Sequence, residues 1–402
     1  MAAGRTRIHR TAAATLLAAV LASCAWGPAA DRAGDQPPPP PDQGNGDIPG
    51  PGPTGDGGPG DGGTPEPDPT HTVPDPEPPP AEGSVKVEEI VAENLNSPWG
   101  LARLPDGDLL VGSRDTGTIH RVDHTTGTLT EVGTVPGVES GGEGGLLGLA
   151  VDSGYIYAYY TTASDNGVSR FVYQEARPEG NQLSAADHVL TGIPRGLVNN
   201  GGAIGFGPDG MLYIGSGDAG EPNAAQDPES LAGKVLRLEP NGRTPDEGNL
   251  ASASPVYSLG HRNVVGLAWD TTGRLWAAET GTESSGELNL LDSGGDYGWP
   301  TAAFRSIDPV VMWDAAQNSP GGLAYTDGSL WVTALRGEGL WRVPMDGAEP
   351  LAEPELFLAE EFGSLRQVVP TNDGGLWVLT GNTGGPGSPG AGDDRLLRLA
   401  VH

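Results

Sequence analysis

The sequence predicts an all-β chain built as a six-bladed β-propeller, and three observations carry that prediction. A hairpin of the form apolar strand, Gly-containing turn, apolar strand recurs six times along the chain. Most copies are followed by a third strand of similar composition, and no segment holds a sustained helical period. Units of roughly fifty residues, each made of short strands and turn glycines, mark a radial repeat. A β-sandwich has no need of such self-similarity.

The chain opens with a segment of a different kind. Arg5, Arg7 and Arg10 precede the apolar run 11–21, which leads into Leu21-Ala22-Ser23-Cys24. A basic stretch followed by a short apolar one makes a secretory signal, too short to span a bilayer as a mature helix. Cys24 is the single cysteine of the chain, so disulfides, thiol catalysis and cysteine-ligated zinc are excluded. Its position resembles that in bacterial lipoprotein signals, where the cysteine becomes the lipidated first residue. This implies a signal over residues 1–24 and a lipid anchor at Cys24.

Residues 25–84 read as a disordered linker. From residue 35 onward they are rich in proline and acid, hold no Lys or Arg, and offer only Ile48 and Val73 as sizeable apolar groups. Such a segment cannot offset the entropy of ordering and behaves as a stiff, self-repelling tether. The propeller is expected over residues 85–402. A formal net charge of −31 argues against nucleic acid or an anionic membrane surface as partner. Membrane attachment is expected through the lipid alone, and any anionic ligand needs a local cationic site.

The hairpins then follow in order. The first runs from Gly100 through Pro105-Asp106-Gly107 to Ser113, and the second from Leu146 through Ser153-Gly154 to Tyr157. The third, Ala203 to Ile214, turns at Pro208-Asp209-Gly210, where Pro presets φ, Asp bonds its own backbone and Gly takes positive φ. The fourth turns at Thr272-Gly273, the fifth at Asp327-Gly328 and the sixth at Asp373-Gly374. The third strands include Thr118 to Val122, Lys234 to Leu238 and Gly339 to Val343. The repeated Trp276, Trp331, Trp341 and Trp377 are expected between blades rather than on a sugar-stacking platform.

Propeller geometry sorts the loops. With the first strand of each blade on the central channel, the Asp-Gly turns share one face. The loops entering that strand and leaving the second share the other. The entering loops carry Glu143, Asn199, Asn200, Arg262, Asn263 and Arg366; the leaving loops carry Arg114, Asp115, Asp218, Glu279, Thr280, Arg336 and Asn382. Because the third hairpin returns to its starting end, Asn199 and Asp218 are expected to be neighbours in space. Arginines at the mouth of an acidic domain suit an anionic ligand in the channel; the alternative is that they bridge blades through Asp218 and Glu279.

Four further runs are Pro98-Trp99-Gly100-Leu101, Gly142-Glu143-Gly144-Gly145-Leu146-Leu147-Gly148, Leu259-Gly260-His261-Arg262-Asn263 and Tyr297-Gly298-Trp299-Pro300. In that order, with the Asp218 loop and Gly233 to Leu238, the chain resembles the soluble glucose/sorbosone dehydrogenases. The resemblance implies a six-bladed propeller that oxidises a sugar hydroxyl with pyrroloquinoline quinone (PQQ) and Ca2+, passing electrons to an unknown acceptor. PQQ carries three carboxylates, so cationic side chains must receive it. By position in the family's motifs, Arg262, Asn263, Arg336 and Arg366 are implied cofactor contacts, Thr280 stands where the family has Gln, and Ser364 where it has Arg. Glu143 stands where a polar contact to the quinone is expected. The backbone carbonyls of Gly281 and Thr282 are the implied calcium ligands.

The departure lies at the base. Asn199 occupies the place of the family's histidine, with Asp218 matching the carboxylate that orients it; Arg262 completes the implied catalytic set. An amide cannot accept a proton at neutral pH. His188 and His261 do not occupy the matching position. Three readings stay open: a dehydrogenase slowed by Asn199, direct action of Asp218 as base, and a lipid-anchored propeller that binds a glycan, lactone or protein partner without redox chemistry. A lactonase-type propeller ranks below them.

Overall fold

The computed structural model describes residues 77–282, 285–314 and 319–402. The signal and most of the tether, Cys24 included, lie outside the described residues. Six antiparallel sheets form the six blades of a β-propeller. In blade three, Ala203–Phe206, Leu212–Gly215, Lys234–Leu238 and Val256–Leu259 run from the channel outward. The first strands of successive blades pack against one another around the centre. That packing demands small residues: a Cβ on Gly148 would stand 2.0 Å from the carbonyl oxygen of Gly202.

Blade six is completed from the other end of the chain. Its outermost strand is Val85–Ala92, which pairs antiparallel with the C-terminal strand Leu396–Val401. The ring is thereby closed by hydrogen bonds between the first and last strands of the domain. The repeats did not reveal this strand, because its burial is slight until Val91 and Ala92.

Six apolar clusters occupy the six junctions between consecutive blades. Each blade is covered on both faces, so its strands read as continuous apolar runs. Successive side chains still alternate in direction. Leu110 points to the second blade, while its neighbours Leu109 and Val111 join the cluster against the sixth. Trp331 lies against the sixth blade, and Leu330 and Val332 face the fourth. Trp276, Trp331, Trp341 and Trp377 are all buried in these clusters, which is the inter-blade role expected of them.

The start of the domain differs from the expected boundary at residue 85. Arg342 is fully buried, and its guanidinium donates to the carbonyls of Pro80 at 2.7 Å and Ala81 at 3.2 Å. Pro79 packs against Gly328, and Gly83 donates to Glu355. Residues 79–84 therefore lie against the fifth blade. Backbone groups do most of the holding: the Pro80 and Ala81 carbonyls accept from Arg342, Gly83 N donates to Glu355, and Ser84 pairs with His402. Apart from one short 3-10 helix, Pro222–Gln226, the described residues are strands, turns and loops.

Candidate functional site

A cavity of about 630 Å³ opens at one end of the channel. Its wall is built from the entering and leaving loops, and carries Glu143, Asn199, Asn200, Arg262, Asn263, Thr280, Arg336 and Arg366. Asp218, Gly281 and Thr282 are not part of that lining. The expectation that two sets of loops share one face, and that their polar residues converge, is met by this wall.

The Asn199 loop is shaped by backbone constraints. Asn199 takes φ of 55°, a left-handed conformation that asparagine tolerates better than most residues. Its carbonyl lies so close to Gly217 that a Cβ there would stand 1.9 Å away. Gly217 is thus required for the Asp218 loop to reach Asn199. Once there, Asn199 Nδ2 donates to Asp218 Oδ1 at 2.8 Å, and Gly220 N donates to the same oxygen. Trp299 Nε1 donates to Asp218 Oδ2 at 2.9 Å. Both oxygens of Asp218 are engaged by donors, and the residue is almost fully buried behind the wall.

That arrangement settles how the Asn199 amide is presented. With one N–H of Nδ2 committed to a carboxylate, the amide is left with its second N–H and with Oδ1, a neutral acceptor. Asn263 braces the same loop from the next blade, accepting from Gly201 N at 2.8 Å. Asn200 is structural: its side chain bonds Asn166 and both backbone groups of Gly196.

The histidines are elsewhere. His261 is fully buried, with Nδ1 against Glu279 Oε1 at 3.0 Å and Nε2 against Ser258 Oγ at 2.8 Å. A donated Nδ1–H to the carboxylate and an accepted Ser258 hydroxyl satisfy the neutral ring, which stacks on Tyr297. His188 is exposed on the second blade and meets Ser169. Neither reaches the cavity.

Four arginines line the cavity against one carboxylate. Arg262 donates to the carbonyl of Thr280 at 3.0 Å and lies over the Trp299 ring. Arg336 is exposed at the rim. Arg114 pairs with Asp115 and donates to Gly384 O. Arg366 is the unusual one. It is buried, its guanidinium carbon sits 3.5 Å from the centroid of Trp99, and its Nε has no hydrogen-bond partner. Burial, with the nearby charge of Arg114, pushes its guanidinium down to about 9. Arginine stays protonated in proteins, so the strain is carried as an unmet demand for negative charge. Among the described residues, the side chains of Arg262, Arg336 and Arg366 pair with no carboxylate, so the blade-bridging alternative has no support here.

An anionic cofactor fits this wall on its charge: four arginines line the cavity against one carboxylate, and Arg262, Arg336 and Arg366 pair with no carboxylate among the described residues. A calcium ion fits the described residues less well. The Thr282 carbonyl already accepts from Ser285 N at 2.9 Å, Glu283 and Ser284 lie outside the described residues, and no cluster of three acidic or histidine side chains gathers among the described residues. No step below uses a metal.

Residues 95–388 match the family described as Glucose / Sorbosone dehydrogenase. The chain belongs to that family. Among relatives of this glucose/sorbosone dehydrogenase family member is quinoprotein glucose dehydrogenase B of Acinetobacter calcoaceticus. It is 31% identical over 259 residues, covering 55% of this chain and 54% of that one, so the match spans about half the relative's length. An aldose sugar dehydrogenase of Escherichia coli K12 is 26% identical over 347 residues, covering 76% and 92%. The PQQ-bound form of an aldose sugar dehydrogenase from Streptomyces coelicolor superposes with a TM-score of 0.79 at 52% identity, covering 81% of this chain and all of that structure.

Some site residues were not anticipated. Trp99, Arg114 and Trp299 organise the wall or the residues behind it. Trp99 and Trp299 each stood inside a family motif, and Arg114 stood among the residues of the leaving loops. The missing signal was the pairing itself: nothing in a linear motif says that Trp99 lies between two guanidinium groups.

Proposed function

We propose that this protein oxidises a sugar hydroxyl outside the cytoplasm, using PQQ held in the channel cavity. The observation that carries the reading is a cavity wall of four arginines, Arg366 among them, against the single carboxylate of Glu143. It is supported by membership of the glucose/sorbosone dehydrogenase family and by likeness to a PQQ-bound aldose sugar dehydrogenase.

Arg366, Arg262 and Arg336 receive the carboxylates of the cofactor, with Trp99 holding the Arg366 guanidinium in place. The quinone, when bound, supplies a carbon that accepts a hydride. Asn199 orients the sugar hydroxyl through Oδ1, its amide held in one sense by Asp218. Asp218 acts through Asn199 and does not itself reach the cavity. The family resemblance also implies calcium at the carbonyls of Gly281 and Thr282, where it would polarise a quinone oxygen. The lipid at Cys24 would hold the enzyme on the outer side of the membrane by the tether.

The test is to add PQQ and Ca2+ to purified protein and follow both melting temperature and aldose-dependent reduction of a dye. A rise in melting temperature with turnover supports the reading. The amide at Asn199 favours a second one, a propeller that binds a glycan, lactone or protein partner without redox turnover. Protein that PQQ neither stabilises nor activates would leave that second reading standing.

A further inference from the structure

An alcohol cannot be oxidised by hydride loss unless its hydroxyl proton also leaves, and the usual histidine position holds an amide. The reaction therefore needs another acceptor on the cavity wall. Guanidinium groups, the amides of Asn199, Asn200 and Asn263, the hydroxyls of Thr280, Ser319 and Thr383, and the Trp99 indole cannot take a proton at neutral pH. Asp218 lies behind the wall with both oxygens engaged. One lining side chain remains.

We propose that Glu143 is the proton acceptor of the reaction, a catalytic residue that takes over the part an imidazole would play at position 199. The inference rests on the function proposed above. Its geometry stands on two attachments to the same segment. Glu143 N donates to Leu197 O at 2.9 Å, and Glu143 Oε2 accepts from Asn199 N at 2.6 Å. The loop that carries it is closed by the Gly141–Gly144 bridge and pressed onto Leu197: a Cβ on Gly142, at φ of 58°, would meet Leu197 O at 2.2 Å. Among the described residues Oε1 has no hydrogen-bond partner, and the side chain lines the cavity.

The carboxylate therefore sits one hydrogen bond from the Asn199 backbone, on the cavity wall that Asn199 also lines. The Arg366 charge is near enough to feel it. In the step, the C–H bond breaks with its electron pair, which leaves as hydride to the quinone. The O–H bond breaks with its proton going to the Glu143 carboxylate. The carbon and oxygen left behind form C=O. The sugar is oxidised by two electrons, and the quinone is reduced by two.

The experiment uses full-length protein loaded with PQQ and Ca2+, as wild type, Glu143→Gln and the double variant Glu143→Gln/Asn199→His. Glutamine keeps an oxygen for the Asn199 N–H and removes only the basicity. The first readout is the rise in melting temperature on adding PQQ, expected to equal that of wild type in Glu143→Gln. The second is kcat, expected to fall by about 10²- to 10⁴-fold, with loss of the acid limb of its pH profile. The double variant should recover at least about tenfold over Glu143→Gln, because an imidazole at 199 lies against Asp218. Turnover of Glu143→Gln within about threefold of an active wild type would overturn the role of Glu143 and leave the dehydrogenase reading intact. Loss of the PQQ-induced melting shift in Glu143→Gln would make the residue a cofactor contact and overturn it equally. Wild type loaded with PQQ but inert toward every aldose would bring down the function and the acceptor together.

Discussion

Asn199 and Asp218, nineteen positions apart in sequence, meet as donor and acceptor at 2.8 Å across two loops of one hairpin. The bond decides which end of the amide faces the cavity, because turning it over would set two oxygens against each other. It also makes position 199 intolerant of a negative charge. Asn199→Asp would place two carboxylates at hydrogen-bond distance inside a buried site, and one of them must then hold a proton. A carboxyl whose pKa is raised by folding binds more protons in the native state than in the unfolded one. Its stability is present at acid pH and is lost as pH rises through the raised value. The variant should thus be less stable than wild type by about 2–3 kcal/mol at pH 7, a shift of two units in one carboxyl. The gap should narrow toward pH 4. Melting curves across pH 4–8 check this, and parallel profiles for the two proteins would show that the loops simply move apart.

Arg366 makes two opposed demands, and one substitution separates them. Its charge is buried with Nε unpaired, a cost of several kcal/mol. The Trp99 face returns at most about 2 kcal/mol as a cation–π contact. Removing the charge with Arg366→Met should therefore raise the melting temperature of the protein without cofactor. The same variant should weaken PQQ by about 1.5–3 kcal/mol, the size of a charge-assisted hydrogen bond. Calorimetry with and without PQQ reads both effects. A variant less stable without cofactor and equal in affinity would mean that Arg366 serves the fold.

The tether and the docked strap behind it should behave differently on deletion. Residues 35–76 offer almost no apolar surface, so their removal should leave the melting temperature nearly unchanged. Extending the deletion through residue 84 takes away the Pro80 and Ala81 carbonyls and leaves Arg342 with Glu355 alone. Two hydrogen bonds to a buried charge are lost, about 3–6 kcal/mol, together with the Gly83–Glu355 and Ser84–His402 bonds. A pair of deletion variants with equal melting temperatures would show that water replaces those carbonyls without cost.

How much of this was legible follows from what each feature depends on. The blades could be read because each hairpin is local: turn glycines and paired apolar runs lie within about fifteen residues of each other. The Asn199–Asp218 contact was legible for the same reason, since both ends of one hairpin must meet. The strand Val85–Ala92 was not, because its partner stands at the opposite end of the domain and its own residues are half exposed. Docking of residues 79–84 escaped because it uses mostly backbone groups, which every residue has. Loop sorting in a propeller placed Arg262, Arg336 and Arg366 at the channel mouth, and the family resemblance implied that they contact the cofactor. Neither could show that Asp218 would be sealed behind the cavity wall, or that Glu143 would hang from the Asn199 backbone.

Lys234 links the frame to the site, and its removal should be felt in both. The side chain is buried, and its ammonium donates to the carbonyls of Ala224 at 2.8 Å, Ala225 at 2.9 Å and Ala232 at 2.7 Å. Burial pushes the group down to about 8, yet three carbonyl acceptors match the three N–H donors of an ammonium. The carbonyls belong to the 3-10 helix Pro222–Gln226 and the strand approach beside it. Gln226 Nε2 in turn donates to Asp296 Oδ1 and to the carbonyl of Trp299, and Trp299 holds Asp218 Oδ2. Lys234→Met keeps the length of the side chain and takes the ammonium from all three carbonyls; Ala224 O keeps Asp227 N and Ala225 O keeps Gly260 N, so Ala232 O is the one left without a donor. The loss in stability should be about 1–3 kcal/mol, the cost of one unsatisfied buried group. Because the helix positions Gln226, the variant should also loosen Trp299 and with it the orientation of Asn199. Near-ultraviolet circular dichroism in the tryptophan region reads that second effect apart from melting. A variant that melts early while keeping the wild-type tryptophan signal below its transition would confine Lys234 to the frame and break the proposed path to Asp218.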